Sequence, residues 1–282
     1  MHWGHRYLIN RALDLASSLG RPAALLTFEP HPRAFFQADK PFFRLTAPPQ
    51  KSCLAEVFGL QGMISLTFDA KLAALTAEAF VKDLLVGRLD ISGAVVGYDF
   101  HFGKNRAGSP EMLASLGLEY GFVTDIITPQ SHDGAIVSST LIRSLLADGN
   151  IAKANTMLGH AWTLSGEVMH GDKRGRELGY PTANLVLDKG MALKHGIYAV
   201  RAIVDGKIHA AVASFGRRPT FDDGAPRLEV HIFDFSGDLY GKIIDIMFVG
   251  YIRPELKFDG IEPLIRQMDE DSRQAREMLT YR

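Results

Sequence analysis

Hydrophobic periodicity switches once along this chain, near residue 159, and the switch narrows the possible folds more than any other feature. Before it, helical and extended patterns alternate. Leu8, Ile9, Ala12, Leu13 and Ala16 recur at helical spacing until Gly20 ends the run. Residues 23–28 form a short apolar run that stops at Glu29-Pro30, as a buried parallel strand does. Further helices are predicted over 51–58 and 76–86, and strands over 63–68, 91–96 and 122–127. Ser109-Pro110-Glu111 starts another helix, with a hydroxyl cap, a proline in the first turn and an acid at the positive end of the dipole. Strands alternating with helices predict a parallel α/β sheet with right-handed crossovers. Beyond the switch, residues 163–169, 196–204, 207–214, 227–233 and 242–249 are β-rich runs separated by turns such as Asp205-Gly206. One long helix closes the chain over 261–281, with Ile261, Leu264, Ile265, Met268, Met278 and Leu279 as its apolar stripe. Consecutive antiparallel strands closed by one helix predict a small barrel. The expected domains are therefore 1–158 and 159–282.

Charge excludes some partners. Lys and Arg total 31 against 32 Asp and Glu, so no net field draws the chain to nucleic acid or to a membrane. An anionic ligand must be held by local groups. The single cysteine, Cys53, cannot form an internal disulfide and suits a reducing compartment. No apolar run approaches the roughly 20 residues of a membrane span, and Met1-His2-Trp3-Gly4-His5-Arg6 lacks the apolar core of a leader, so a cytoplasmic protein is expected.

Two constellations in the first domain point to polyphosphate. His2-Trp3-Gly4-His5 stands at the start of the first helix, where free N–H groups and the dipole favour an anion. Two surface histidines are the bland alternative. Ser138, Ser139 and Thr140 precede Arg143 by about one turn, and hydroxyls plus a guanidinium at a helix start again suit phosphate. A well-capped helix with a solvated arginine fits the same residues.

In the second domain, residues 166–184 are the most informative. Glycines at 166, 171, 175 and 179 let the backbone bend around phosphates, with Lys173, Arg174 and Arg176 nearby. The pattern is not that of a P-loop. A glycine-rich hairpin with a basic tip is equally compatible. Pro181-Thr182-Ala183-Asn184 adds a hydroxyl and an amide oxygen, hard ligands suited to Mg²⁺. In Arg227–Phe233, Glu229 and His231 share one strand face, opposite Leu228, Val230 and Ile232. On an inner barrel face Glu229 could accept the proton of an acceptor hydroxyl; a solvated outward-facing residue is the alternative.

Taken together, the first-domain motifs resemble those of the HIGH-type nucleotidyltransferases, more closely the FMN adenylyltransferase module of bacterial bifunctional FAD synthetases. Residues 27–32, Arg44-Leu45-Thr46 and 96–103 match blocks of that family in order. Residues 160–282 closely resemble riboflavin kinase, through 171–179, 181–184, 196–200, 216–221, 229–233, 239–241 and Arg253-Pro254-Glu255 with Phe258. The resemblance implies a Rossmann-like nucleotidyltransferase domain and a six-stranded Greek-key barrel with a terminal helix. It implies phosphorylation of riboflavin to FMN and adenylylation of FMN to FAD, with Mg²⁺ and ATP, by a monomer or weakly self-associating protein. Within it, His2 and His5 neutralise the transferred phosphates, and Ser138, Ser139, Thr140 and Arg143 hold the pyrophosphate. Phe28, Pro30, His31, Asp99 and Phe100 line the flavin and adenine sites. Gly171, Arg174, Gly175, Arg176 and Gly179 bind ATP phosphates, Thr182 and Asn184 the metal, and Glu229 deprotonates the ribityl 5′-hydroxyl. Arg253 and the last helix border the isoalloxazine.

One departure stands out. Family members carry a strand and a Gly-x-Phe-Asp-Gly turn before His-x-Gly-His, and this sequence opens at Met1-His2. The expectation is a first domain without that central strand, from a misplaced start or a true truncation. A riboflavin kinase with an inactive first domain is the alternative, and a non-catalytic flavin carrier a more distant one.

Overall fold

The computed structural model describes residues 1–40, 42–171, 175, 178–187, 190–217 and 226–280. The chain divides into two compact units, one of residues 1–40 and 48–138 and one of 41–47 and 139–282.

In the first unit, α1 (Trp3–Leu19) ends at Gly20, whose left-handed φ of 62° caps the helix. It leads into β1 (Ala24–Glu29), α2 (Pro32–Phe36), α3 (Pro48–Val57) and β2 (Gly62–Thr67). Short helices α4 (Ala70–Ala73) and α5 (Ala77–Ala79) follow, the latter running on as a π-helical turn over Phe80–Val86. Next come β3 (Gly93–Gly97), α6 (Pro110–Tyr120) and β4 (Val123–Ile127), then a small hairpin, β5 (Ser131–His132) with β6 (Ala135–Ile136). Ser109 caps α6 as expected, its side chain accepting from the Met112 amide at 3.2 Å. The strands pair in parallel, β1 with β2 and β3 with β4, as two separate two-stranded sheets. Phe80, Val81, Leu113 and Phe122 form a buried cluster against which Leu26, Phe28, Ala94 and Val96 pack. The strands themselves are mostly half-exposed, unlike the doubly covered strands their apolar sequences predict.

The second unit holds α7 (Ser139–Ala147), α8 (Ile151–Leu158), six strands and α9 (Ile261–Thr280). The strands are β7 (Thr163–Met169), β8 (Ala183–Val186), β9 (Gly196–Val204), β10 (Lys207–Arg217), β11 (Pro226–Ile232) and β12 (Ile243–Arg253). They close a barrel in the order β10-β11-β8-β7-β12-β9. Five of them correspond to the β-rich runs of the sequence; the sixth, β8, begins inside the Pro181–Asn184 segment. Leu185, Val200, Phe215, Leu228, Val230 and Phe248 fill the interior and are almost wholly buried. A bulge between Phe248 and Gly250 turns Val249 out of the barrel alternation toward Ala275 and Leu279 of α9. A Cβ at Gly250 would lie 2.5 Å from the Met278 methyl, so glycine lets helix and strand approach.

The last helix keeps part of its expected apolar stripe, with Leu264, Ile265 and Met268 half-buried and Met278 exposed. Its buried positions are Asp271, Ala275 and Leu279, while Ile261 is exposed. A charge occupies the buried face because a guanidinium from β12 meets it there.

Candidate functional site

In the second unit the candidate site forms on the outside of the barrel. Leu228, Val230 and Ile232 point into the core, so the alternation of β11 sends Glu229 and His231 outward, half-buried. Of the two faces the sequence left open for Glu229, the outer one is observed, because the interior of a six-stranded barrel is filled by apolar side chains. Glu229 pairs with Asn184 on β8 and with Ser214 on β10. Directly opposed residues share a face. A carboxylate, an amide and a hydroxyl thus stand in one row across three strands. Ser214 was not singled out in the sequence, since only the register reveals it.

Thr182 and Asn184 are held locally. The Asn184 amide donates to the Thr182 carbonyl at 3.4 Å. A Cβ at Gly171 would fall 2.4 Å from Nδ2 and 2.8 Å from Oδ1 of Asn184, and one at Gly175 2.3 Å from the Tyr180 carbonyl. Glycine at these two positions lets the backbone at 171 and at 175 lie against the 180–184 segment. Gly179 has a φ of 84°, in the left-handed region. Lys173, Arg174 and Arg176 lie outside the described residues.

Neighbouring groups brace this segment. His231 Nδ1 donates to the Pro181 carbonyl at 2.9 Å, and its ring lies 5.0 Å from that of Tyr180. The Tyr180 hydroxyl donates to Asp269 of α9, and burial, followed by that bond, pushes its pKa up to about 12. Arg253 grips Asp271 with two bonds, Nε to Oδ1 at 2.7 Å and Nη2 to Oδ2 at 2.6 Å, and its guanidinium lies 6.0 Å from the Phe258 ring. Neither Tyr180 nor Asp271 announced itself in the sequence; an aspartate on an amphipathic helix reads as solvated until its partner is known.

In the first unit His2 and His5 come together at the start of α1, rings 3.9 Å apart, with the His2 amide donating to His5 Nδ1 at 3.3 Å. Burial, then a neighbouring amino group, pushes His2 down to about 4. Burial, followed by the charges of His2 and Lys51, holds His5 well below its ordinary value. Both imidazoles are therefore neutral near pH 7 without a ligand.

The other expected residues are spread more widely. His31 Nδ1 accepts from the Arg33 amide at 3.1 Å and caps α2, directly after the cis Glu29–Pro30 bond. Phe28 packs edge-on to Phe68 at 5.9 Å. Phe100 stacks on the buried Phe102 at 5.5 Å, and Asp99 is exposed. Ser138 closes the first unit, whereas Ser139, Thr140 and Arg143 belong to α7 in the second. Arg143 Nε donates to the Phe43 carbonyl at 2.7 Å, and its guanidinium lies 5.0 Å from the Phe42 ring.

Comparison with known proteins accounts for both halves. The family described as FAD synthetase matches residues 1–141 and riboflavin kinase matches 158–279. The bifunctional riboflavin kinase/FMN adenylyltransferase of Escherichia coli K12 is 39% identical over 280 residues, covering 98% of this chain and 89% of that protein. Those of Listeria monocytogenes and Bacillus subtilis are 36% and 33% identical, covering 98% of this chain and 88% of each. A solved structure from Streptococcus pneumoniae, described as a macrolide-efflux protein, superposes with a TM-score of 0.86 at 32% identity, over 98% of this chain and 90% of that one. Among the described residues no helix is long and apolar enough to cross a membrane. On the strength of both domains and of relatives matched along almost their whole length, the chain belongs to the bifunctional riboflavin kinase/FMN adenylyltransferase family.

Proposed function

We propose that this chain phosphorylates riboflavin to FMN and then adenylylates FMN to FAD, consuming two ATP. The observation that carries the kinase half is the pairing of Glu229 with Asn184 on the barrel's outer face, two residues from Thr182. Phosphoryl transfer asks a protein mainly for positioning and charge stabilisation. Here the 171–179 glycines would receive the ATP phosphates, and Glu229 would take the proton of the ribityl 5′-hydroxyl as its oxygen attacks the γ-phosphorus and ADP leaves with the β–γ bridging oxygen. Among the described residues no three His, Cys, Asp or Glu side chains form a metal cluster. Mg²⁺ suits the hard oxygens of Thr182 and Asn184, because it is commonly held by few protein ligands and by the phosphates of the nucleotide. It would supply charge neutralisation. Arg253, fixed by Asp271, would present a rigid edge to the flavin.

For the second step, an FMN phosphate oxygen attacks the α-phosphorus of ATP and pyrophosphate leaves. No protein nucleophile is needed. His2 and His5 would donate to the transferred phosphate, with Phe28, Pro30, His31, Asp99 and Phe100 around flavin and adenine, and Ser138, Ser139, Thr140 and Arg143 as phosphate ligands. We assign the two activities to residues 1–158 and 159–282 and place the protein in the cytoplasm, as a monomer or weak oligomer. The exposed, unpaired Cys53 suits that compartment. Chromatography of products from riboflavin, ATP and Mg²⁺ tests both halves: FMN and then FAD should accumulate. FMN without FAD would leave a kinase alone.

A further inference from the structure

We propose that Lys51 is a ligand for the ATP polyphosphate in adenylyl transfer, parked on Thr27 and Glu29 until nucleotide arrives; this rests on the adenylyltransferase reading above. Three elements of the first unit converge here. α1 brings the His2–His5 pair to its N-terminus. β1 ends at Glu29, and the carboxyl ends of parallel strands are where open α/β sheets receive ligands. α3 supplies Lys51, whose ammonium donates to the Thr27 hydroxyl at 3.0 Å and lies 3.6 Å from Glu29 Oε1. Thr27 is buried, and the lysine side chain keeps only 21% of its exposure. The ammonium is also close enough for its charge to act on His5.

The electrostatics of this corner need a cation. A helix N-terminus contributes about half a charge, and two neutral imidazoles contribute hydrogen bonds only. Lys51 carries a full charge beside them. The Glu29 carboxylate faces it at rest. A triphosphate brings several negative charges and charge-assisted bonds of its own, so it outcompetes that carboxylate for the ammonium. As the α-phosphorus bond to the bridging oxygen breaks, charge grows on the departing pyrophosphate, and an ammonium fixed near it lowers the barrier.

The test is Lys51→Met, which keeps the aliphatic stem, and Lys51→Arg, which keeps the charge, in the full chain. FAD formation, its reversal by inorganic pyrophosphate, and FMN formation from riboflavin are measured on each. Losing one preorganised charge donor costs about 10²-fold in kcat. Lys51→Met should show that loss in FAD formation, with a raised KM for ATP and for pyrophosphate and an unchanged KM for FMN. Lys51→Arg should recover most of it. FMN formation by the barrel is the control for the other half of the chain, and the KM for FMN in FAD formation, with circular dichroism, reports whether the first unit folds in each variant. Wild-type FAD synthesis with an unaltered Lys51→Met would overturn the assignment of Lys51 alone. No FAD from the wild type would overturn the adenylyltransferase reading and Lys51 with it. Equal damage by Met and Arg, with all KM values unchanged, would make Lys51 a structural residue.

Discussion

Gly171 is defined by what it leaves out. Its missing Cβ would collide with both polar atoms of the Asn184 amide, 2.4 and 2.8 Å away. Gly171→Ala should therefore displace Asn184 and depress riboflavin phosphorylation with little change in thermal midpoint, and raising Mg²⁺ should restore part of the rate. Glu229→Gln preserves shape and removes the base. General bases contribute about 10² to 10⁴ in rate, so kinase turnover should fall by that factor while denaturant stability holds, since Glu229 is only half-buried. His2 makes a pH prediction. Its folded value is about 4, against about 6.5 in an unfolded chain. Between these pH values the unfolded state binds more protons, so its contribution to stability is complete above pH 6.5 and lost as pH falls toward 4. The thermal midpoint of the first unit should fall across that interval, and His2→Gln should flatten the decline.

Among the elements, α9 is docked by a charge pair in a place where apolar packing was expected. Arg253 and Asp271 retain 16% and 5% of their side-chain exposure. Removing one partner of a buried pair leaves the other uncompensated and costs about 3 to 5 kcal/mol. Arg253→Met should destabilise the barrel by that order in urea titration, and Arg253→Met with Asp271→Leu should recover much of it. A Lys replacement, which lacks the planar fork, should fall between. If Arg253 also borders the flavin, the double variant regains stability without regaining riboflavin affinity. Helix existence and part of its stripe, Leu279 above all, were legible from its period, but the burial of Asp271 was not, because an aspartate counts against burial until a distant arginine is known to meet it.

The two units are not cut where the periodicity changes. Segment 41–47, α7 and α8 cluster with the barrel. Trp162 Nε1 donates to the Leu45 carbonyl at 3.0 Å, while Asn155 donates to the Phe248 carbonyl at 2.8 Å and accepts from the Trp162 amide at 2.8 Å. Asn155→Ala strips two backbone groups of their partner, each worth about 1 to 3 kcal/mol when buried. The barrel should melt measurably earlier, though Asn155 precedes the residues matched to riboflavin kinase. Local pattern was enough to read the class of each half and the meeting of His2 with His5, because periods of 3.6 and 2 and short spacings are properties of neighbouring residues. Alternation along β11 separates Glu229 from Leu228 and Val230, yet it says nothing of which side a closed barrel seals. That face, the row Asn184–Glu229–Ser214, the grip of Arg253 on Asp271 and the approach of Lys51 to Glu29 join residues from 15 to 45 positions apart along the chain. Such contacts follow from register and chain closure, whose energies depend on the whole packed core rather than on any window of sequence.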